Sequence, residues 1–416
     1  MKVSSMRIID ALVGIPLCTL LTAVSRIQGM KTGRYAHQTG DKMVFLKLAE
    51  QGSTVLAQST LEDAVSRFGR ENVYFLLFAE NRFILDYLRI IPPENVLEID
   101  HDSLTALVTS TFRQVFRLWK LRVAVAVDLE FFARATAVLS FLTGARTRVG
   151  FHAYHGAGAW RGNLLTHRVH FNSHVHTSIS FHSLINALDL SPEEFPTYRD
   201  KAVGTAGEVR PLPCDPGVLE RVRQMLARVV GPEGSGGLPL ILLNSNCSDL
   251  LPLRRWPDDR YVELARRLLA QRPELHIAFT GGPSEREGAE ALVSKVGHPR
   301  CFCLAGCTTL EELMALYHLA EVLVTNDSGP AHFSSLTPID SVVLFGPETP
   351  ALFGVQSERS HPIWVGLPCS PCVSAYNGRM TSCRDNQCLQ QISVEQVYQK
   401  VMAVYEKRTQ SAQEQA

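Results

Sequence analysis

The chain has 416 residues, and its 41 Lys and Arg balance 41 Asp and Glu for a formal net charge of +0. At roughly 100–200 residues per domain this length implies two domains, and a hydrophobic share of 45% excludes a disordered or collagen-like polymer. Balanced charge without a basic stripe excludes nucleic acid as the main partner, because neutralising phosphates takes clustered Lys and Arg.

Residues 1–41 read as a separate N-terminal segment. Ala11–Val24 is apolar and uncharged, bounded by Asp10 and Arg26 and interrupted by Pro16. It is shorter than the ~20 residues that cross a bilayer, and no A-x-A-like cleavage site follows it. Two readings stand: a helix lying flat on a membrane surface, or a helix packed on a sheet. The expected compartment is the cytoplasm, with peripheral contact to the inner membrane under the first reading.

From Lys42 onward short apolar runs alternate with stretches of helical period, the pattern of βαβ units and parallel sheets. Strands are predicted at Met43–Leu48, Val73–Phe78, Val96–Ile99 and Val123–Val127, with helices at Thr54–Phe68, Ser103–Trp119 and Phe131–Leu142. A second series has strands at Leu240–Leu243, His276–Thr280, Val322–Thr325 and Ser341–Leu344, with helices at Tyr261–Gln271, Glu285–Val296 and Leu310–His318. Between them, Pro232-Glu233-Gly234-Ser235-Gly236-Gly237-Leu238-Pro239 has the most linker-like composition. The expected architecture is α/β: two Rossmann-like domains, 42–232 and 238–395, facing across a cleft, with 396–416 as a C-terminal helix and tail. Ligands in such sheets bind beyond the carboxyl ends of the strands.

The strongest local signal is Val322-Leu323-Val324-Thr325-Asn326-Asp327-Ser328-Gly329-Pro330-Ala331-His332, an apolar strand that ends in a polar turn and opens a helix. Asp327 and Ser328 are N-cap types, Gly329 permits close approach, and Pro330 suits the first helical position. The amides of such a helix start favour a phosphate or diphosphate, with Ser328 and His332 as further donors. A second turn, Leu344-Phe345-Gly346-Pro347-Glu348-Thr349-Pro350, ends the next apolar run.

These runs, with "RRWPDDRYVELARRL" and "FTGGPSERE" upstream and "VFLKLAEQGSTVLAQSTLEDA" and "VAVDLEFFARATAVLSFLTGARTRVGF" in the N-terminal half, resemble glycosyltransferase family 9, the heptosyltransferases of the lipopolysaccharide core. The resemblance covers roughly Lys42 to the C-terminus. It implies a GT-B fold and transfer of a sugar, typically from ADP-heptose, to a lipid-linked saccharide acceptor with inversion at the anomeric carbon. It also implies that Asp327, Ser328, Gly329 and His332 contact the diphosphate and sugar, that Arg254 lies near the phosphates, that Gly281 and Gly282 cradle the nucleoside, and that Asp128 lies on the acceptor side. For Asp128 an ordinary strand-end cap is a competing reading.

One departure stands out. Where the family places an Asp directly after the Gly of the first loop, as its general base, this chain has Ser53 in Ala49-Glu50-Gln51-Gly52-Ser53-Thr54. An unactivated serine hydroxyl is no base at neutral pH. Glu50 is the candidate base and Asp128 the reserve; capping or solvent exposure is the alternative for Glu50. Catalysis is expected to need no metal, with Arg254 and the helix start holding the leaving diphosphate. Two further readings keep the donor pocket: a non-catalytic nucleotide-sugar or saccharide-binding homologue, and a nucleotide-sugar epimerase.

Cys369, Cys372, Cys383 and Cys388 give C-x2-C-x10-C-x4-C, a spacing near that of four-cysteine zinc modules. A structural zinc, two disulfides or plain thiols are the readings open here, and a reducing compartment disfavours the disulfides. Seven of the 14 histidines, His152, His155, His167, His170, His174, His176 and His182, lie close together; a metal at His174-x-His176 is the minor reading against cleft-lining or surface residues.

Overall fold

The computed structural model describes residues 10, 12–32, 40–152, 160–191, 209–231, 238–247 and 251–415. Most of the predicted linker, residues 232–237, and His155 lie outside the described residues. The chain forms two compact units: Met1–Gly207 with Ser374–Met380, and Glu208–Val373 with Thr381–Ala416.

In the first unit, helix α1 (Gly14–Thr32) precedes β1 (Met43–Leu46), α2 (Gln51–Leu56), α3 (Gln58–Phe68), β2 (Val73–Phe78), α4 (Arg82–Leu88), β3 (Val96–Ile99), α5 (Leu104–Leu121), β4 (Val125–Asp128), α6 (Arg134–Leu142), β5 (Thr147–His152), β6 (His167–His170) and α7 (Thr177–Asn186). The six strands are parallel in the order β3-β2-β1-β4-β5-β6. Met43–Leu46 and Val125–Asp128 are buried at every position, because helices cover both faces of a parallel sheet; that explains continuous apolar runs where a one-sided sheet would alternate.

The second unit runs α8 (Pro216–Val230), β7 (Leu240–Asn244), α9 (Asp258–Gln271), β8 (His276–Phe279), α10 (Arg286–Val296), β9 (Cys301–Cys303), α11 (Leu310–Leu319), β10 (Val322–Asn326), α12 (Gly329–Ser334), β11 (Asp340–Phe345), α13 (Pro350–Phe353), β12 (Ser360–Trp364), α14 (Gln387–Gln390) and α15 (Val394–Gln415). Its parallel sheet has the order β12-β11-β10-β7-β8-β9.

Two expected boundaries move. Helix α8 packs on α11 and so belongs to the second unit, not to the first as the 232/238 division has it: the Gly-Pro composition marks a turn before β7, whereas the contacts of an amphipathic helix decide its unit. The expected C-terminal helix is present and is part of the second unit's core: Val397, Val401, Met402 and Tyr405 of α15 join Ile241, Leu264 and Val324. The predicted helix Thr54–Phe68 is two helices, α2 and α3, meeting at Ala57.

The N-terminal segment packs. Cys18 of α1 is buried against Ala137 and Val138 of α6, with Leu17 and Leu21 partly buried beside it. Asp10 accepts a hydrogen bond from the Ala135 amide at 2.9 Å and pairs with Arg134 at 3.1 Å. A Cβ at position 14 would stand 2.8 Å from Cβ of Arg134, so Gly14 is what lets the two helices approach. No helix among the described residues is long and apolar enough to cross a membrane.

Candidate functional site

In each sheet the strand order reverses between two neighbours, and the loops that leave those neighbours diverge and open a crevice. In the second unit these are β7 and β10. The loop after β10 carries Asp327, Ser328 and Gly329, and the loop after β7 ends in a single 3-10 turn at Pro252–Arg254. Here Arg254 lies 3.7 Å from the Asp327 carboxylate and 3.9 Å from Glu348, which follows β11. All three are largely buried. The structure therefore brings together Arg254 and Asp327, which sequence reasoning chose, and adds Glu348. Its signal was the Gly346-Pro347 turn after the next strand.

Asn326 fixes this arrangement. Its Nδ2 donates to the carbonyls of Ser245 at 3.0 Å and Asn246 at 3.1 Å, and its Oδ1 accepts from the Trp256 amide at 3.0 Å. Asn244 ties β7 to β8 through the Thr280 carbonyl at 3.2 Å. These buried amides hold the loops at the switch point by satisfying backbone groups that leave the ladder there.

Two expectations about this turn change. Ser328 occupies the N-cap position, but its hydroxyl donates to the Asn326 carbonyl at 3.1 Å and caps nothing. Helix α12 has only 6 residues, so its summed dipole is small and the strongest positive charge beside this turn is that of Arg254. His332 is buried within that helix. On the neighbouring loop, the Gly282 amide donates to the Glu285 carboxylate at 2.6 Å. A Cβ at Gly281 would lie 2.8 Å from that carboxylate and 2.9 Å from the Asn246 amide nitrogen. A Cβ at Gly282 would make only an ordinary contact with the Glu285 carboxylate at 3.7 Å, so the close packing of the turn falls at Gly281.

In the first unit the reversal lies between β1 and β4. After β1, Lys47 is 1% exposed and stands 3.5 Å from Glu130, whose carboxylate also accepts from the Ala49 amide at 3.2 Å. Glu50 has a left-handed backbone (φ 68°). Its carboxylate is ion-paired with Arg379, and the Ser53 hydroxyl donates to its carbonyl at 2.9 Å. The Arg379 segment belongs to this unit: Tyr376 donates to the Phe171 carbonyl at 2.6 Å and stacks on Phe132 with ring centroids 5.2 Å apart. Lys47 and Arg379 were missed by sequence reasoning, Arg379 because no local pattern announces a contact 329 residues away.

Asp128 is completely buried. It binds Arg161 at 2.6 Å, the Thr136 hydroxyl at 2.9 Å and the Glu130 amide at 3.0 Å. Burial pushes its carboxyl up to about 6 against the pull of Arg161. With its oxygens engaged by the protein, Asp128 holds the loop after β4 and does not present a base to an acceptor, which corrects the reserve assignment.

Among the described residues no three His, Cys, Asp or Glu side chains are placed to hold a metal. No disulfide joins Cys369, Cys372, Cys383 or Cys388, and Cys372, Cys369 and Cys383 all stand near enough to Cys388 to push its thiol up. In the ten-residue interval between Cys372 and Cys383, Ser374–Met380 joins the first unit, whereas the cysteines stay with the second. The Cys383 thiol donates to the Asp385 carbonyl at 3.1 Å. Of these histidines, His176 caps α7, accepting from the Ser178 amide at 3.3 Å, and His167 and His170 are β6 residues.

Residues 133–380 match the family model described as Glycosyltransferase family 9 (heptosyltransferase). A 114-residue stretch is 33% identical to lipopolysaccharide heptosyltransferase 2 of Salmonella typhimurium, covering 27% of this chain and 32% of that protein. The same enzyme of Escherichia coli K12 is 32% identical over 114 residues, with the same coverage. The chain thus spans about a third of the length of the curated relatives it matches. Among solved structures, E. coli ADP-heptose LPS heptosyltransferase II superposes with a TM-score of 0.67 at 18% identity, over 90% of this chain and 100% of that one. A family 9 glycosyltransferase from Veillonella parvula gives 0.66 at 16%, over 88% and 97%. E. coli heptosyltransferase WaaC with ADP gives 0.61 at 16%, over 87% and 99%. These likenesses establish the GT-B fold.

Proposed function

The chain belongs to glycosyltransferase family 9, the heptosyltransferases, and from that premise we propose that it moves a sugar, heptose from ADP-heptose, onto a hydroxyl of a lipid-linked saccharide of the lipopolysaccharide type, with inversion and without a metal ion. The observation that carries this reading is the Arg254–Asp327–Glu348 group at the switch point of the second sheet. A guanidinium pairs two diphosphate oxygens at once and stays charged. Buried carboxylates accept but cannot donate, which suits the hydroxyls of a sugar or ribose and repels phosphate. Arg254 accordingly takes the leaving diphosphate, while Asp327 and Glu348 orient hydroxyl groups.

The acceptor hydroxyl attacks the anomeric carbon as its proton passes to Glu50, and the nucleoside diphosphate leaves with its charge held by Arg254 and the amides of the Ser328–Gly329 turn. A base has to be ionised to work, and Arg379 favours that state for Glu50, at some expense of basicity. Family relatives solved with ADP and with an ADP-2-deoxy-2-fluoro heptose support an adenosine diphosphate donor.

The deciding experiment is incubation with ADP-heptose, UDP-sugars and GDP-sugars, with and without lipid-saccharide extract, reading nucleoside diphosphate release. Release from ADP-heptose that depends on the extract supports transfer. Donor binding without release would favour a non-catalytic homologue, and donor conversion without any acceptor an epimerase.

A further inference from the structure

Helix α5 has its outer flank built from large apolar side chains. Leu104, Val108, Phe112 and Phe116 recur every four residues and Trp119 follows three later, so they share one flank. Phe112 is 69% exposed, Phe116 54% and Trp119 54%. The core contacts of the helix are made elsewhere on its circumference, by Val115 and Leu118. Helix α1 repeats the arrangement: Cys18 faces α6, while Leu20 and Ile27 are turned out to solvent.

The two helices lie on one side of the sheet. Right-handed crossovers from β3 to β4 and from β4 to β5 put α5 and α6 on the same face, and Trp119 donates to the Leu142 carbonyl at the end of α6 at 2.6 Å. Helix α1 packs on that same α6. The charge is one-sided as well. Residues 11–40 and 103–127 contain no Asp or Glu, while exposed Arg26, Arg113, Arg117, Lys120 and Arg122 border the apolar flanks. Lys120 reaches over the Phe116 ring at 4.7 Å, the posture of a cation that leaves its stem on apolar surface and its head in water. Asp100 and Asp102 stand at the N-terminal end of α5, so the positive charge gathers along the rest of the helix.

We propose that α1 and α5 form one docking face for an anionic lipid surface, with Leu20, Phe112, Phe116 and Trp119 entering the headgroup boundary and the basic side chains pairing lipid phosphates. Isolated exposed apolar residues are ordinary on proteins, but two such stripes on one side of the sheet, with cations and without carboxylates, match an interfacial amphipathic surface. The face goes beyond the transfer reaction and does not depend on which sugar is moved.

The test is co-sedimentation of the full chain with phosphatidylcholine vesicles that contain or lack phosphatidylglycerol. The chain is expected to bind the anionic vesicles, more weakly as salt is added. Two double variants, Phe112→Ser with Phe116→Ser and Arg113→Gln with Lys120→Gln, are each expected to lower that binding about tenfold or more, with unchanged melting temperature and ADP affinity because every substituted side chain is exposed. Absence of binding by the unmodified chain, equal binding by the variants, or self-association of the unmodified chain that the Phe112/Phe116 variant abolishes would each overturn the proposal; the last outcome would make the face a contact between copies.

Discussion

The Glu50 carboxylate is ion-paired with Arg379, two residues 329 positions apart in the chain and both in left-handed backbone conformations. Such a conformation costs a non-glycine residue of order 1 kcal/mol and is kept only where surrounding contacts impose it. The pair therefore fixes both the direction of the carboxylate and the end of the Ser374–Met380 segment. Glu50→Gln is expected to leave donor affinity near normal and to lower transfer by a factor of roughly a hundred or more. Glu130→Gln, which loosens Lys47, provides the comparison. If Glu50→Gln retains transfer while Glu130→Gln loses it, the base is Glu130.

At the second switch point, Asp327→Ala is expected to abolish measurable donor binding, and Arg254→Ala to weaken ADP by roughly 2 kcal/mol, about thirtyfold. Isothermal titration with ADP and with ADP-heptose separates the roles. Arg254→Ala should weaken both ligands, whereas Glu348→Gln should weaken ADP-heptose alone if its carboxylate holds the transferred sugar and both ligands if it holds the ribose. No loss for either ligand in the Glu348 variant would contradict the role in orienting hydroxyls argued above.

Asn326→Ala removes a buried amide that satisfies two carbonyls and one N–H. The expected loss is about 2–3 kcal/mol from the second unit, seen as a lower unfolding midpoint in urea. Asn326→Asp should be harmful too, because an acceptor replaces the donor facing the Ser245 and Asn246 carbonyls.

Two groups of the first unit give stability opposite dependences on pH. Burial, helped by Arg168, Arg161 and His170, holds His152 down at about 4, below its ordinary 6.5. Its contribution is full above 6.5 and lost as pH falls toward 4. Asp128, pushed up from 3.8 to about 6 by burial, contributes fully below 3.8 and loses that contribution as pH rises through 6. The His152→Gln variant keeps only the second effect, so its stability should rise relative to the unmodified chain as pH is lowered from 6.5 to 4. Parallel unfolding profiles for the two proteins would refute this.

The thiols provide a check on the cysteine loop. Cys369 and Cys383 are exposed, while Cys388 is buried and its thiol is pushed up to about 11 by burial, then by Cys372, Cys369 and Cys383. A maleimide near neutral pH should label Cys369 and Cys383 first and Cys388 last. Stoichiometric zinc that blocks all four positions would show that the loop can gather them.

Much of this protein is determined by sequence alone. Continuous apolar runs such as Val73–Phe78 and Val322–Asn326 specify strands buried on both faces, and the amphipathic stretches between them specify the crossover helices, because hydrophobic period is local information. The loop after β10 was legible for the same reason: Asp327, Ser328 and Gly329 follow directly on an apolar strand. The tertiary structure decided what depends on partners distant in the chain. Asp128 looked like an acceptor-side carboxylate until Arg161, 33 residues later, was found to enclose it. The spacing of the four cysteines did not show that Cys369, Cys372 and Cys383 would all stand near Cys388. Glu50 found Arg379, and Arg254 found Glu348, through strand order, which brings loop ends together without leaving a mark in the local pattern of either partner.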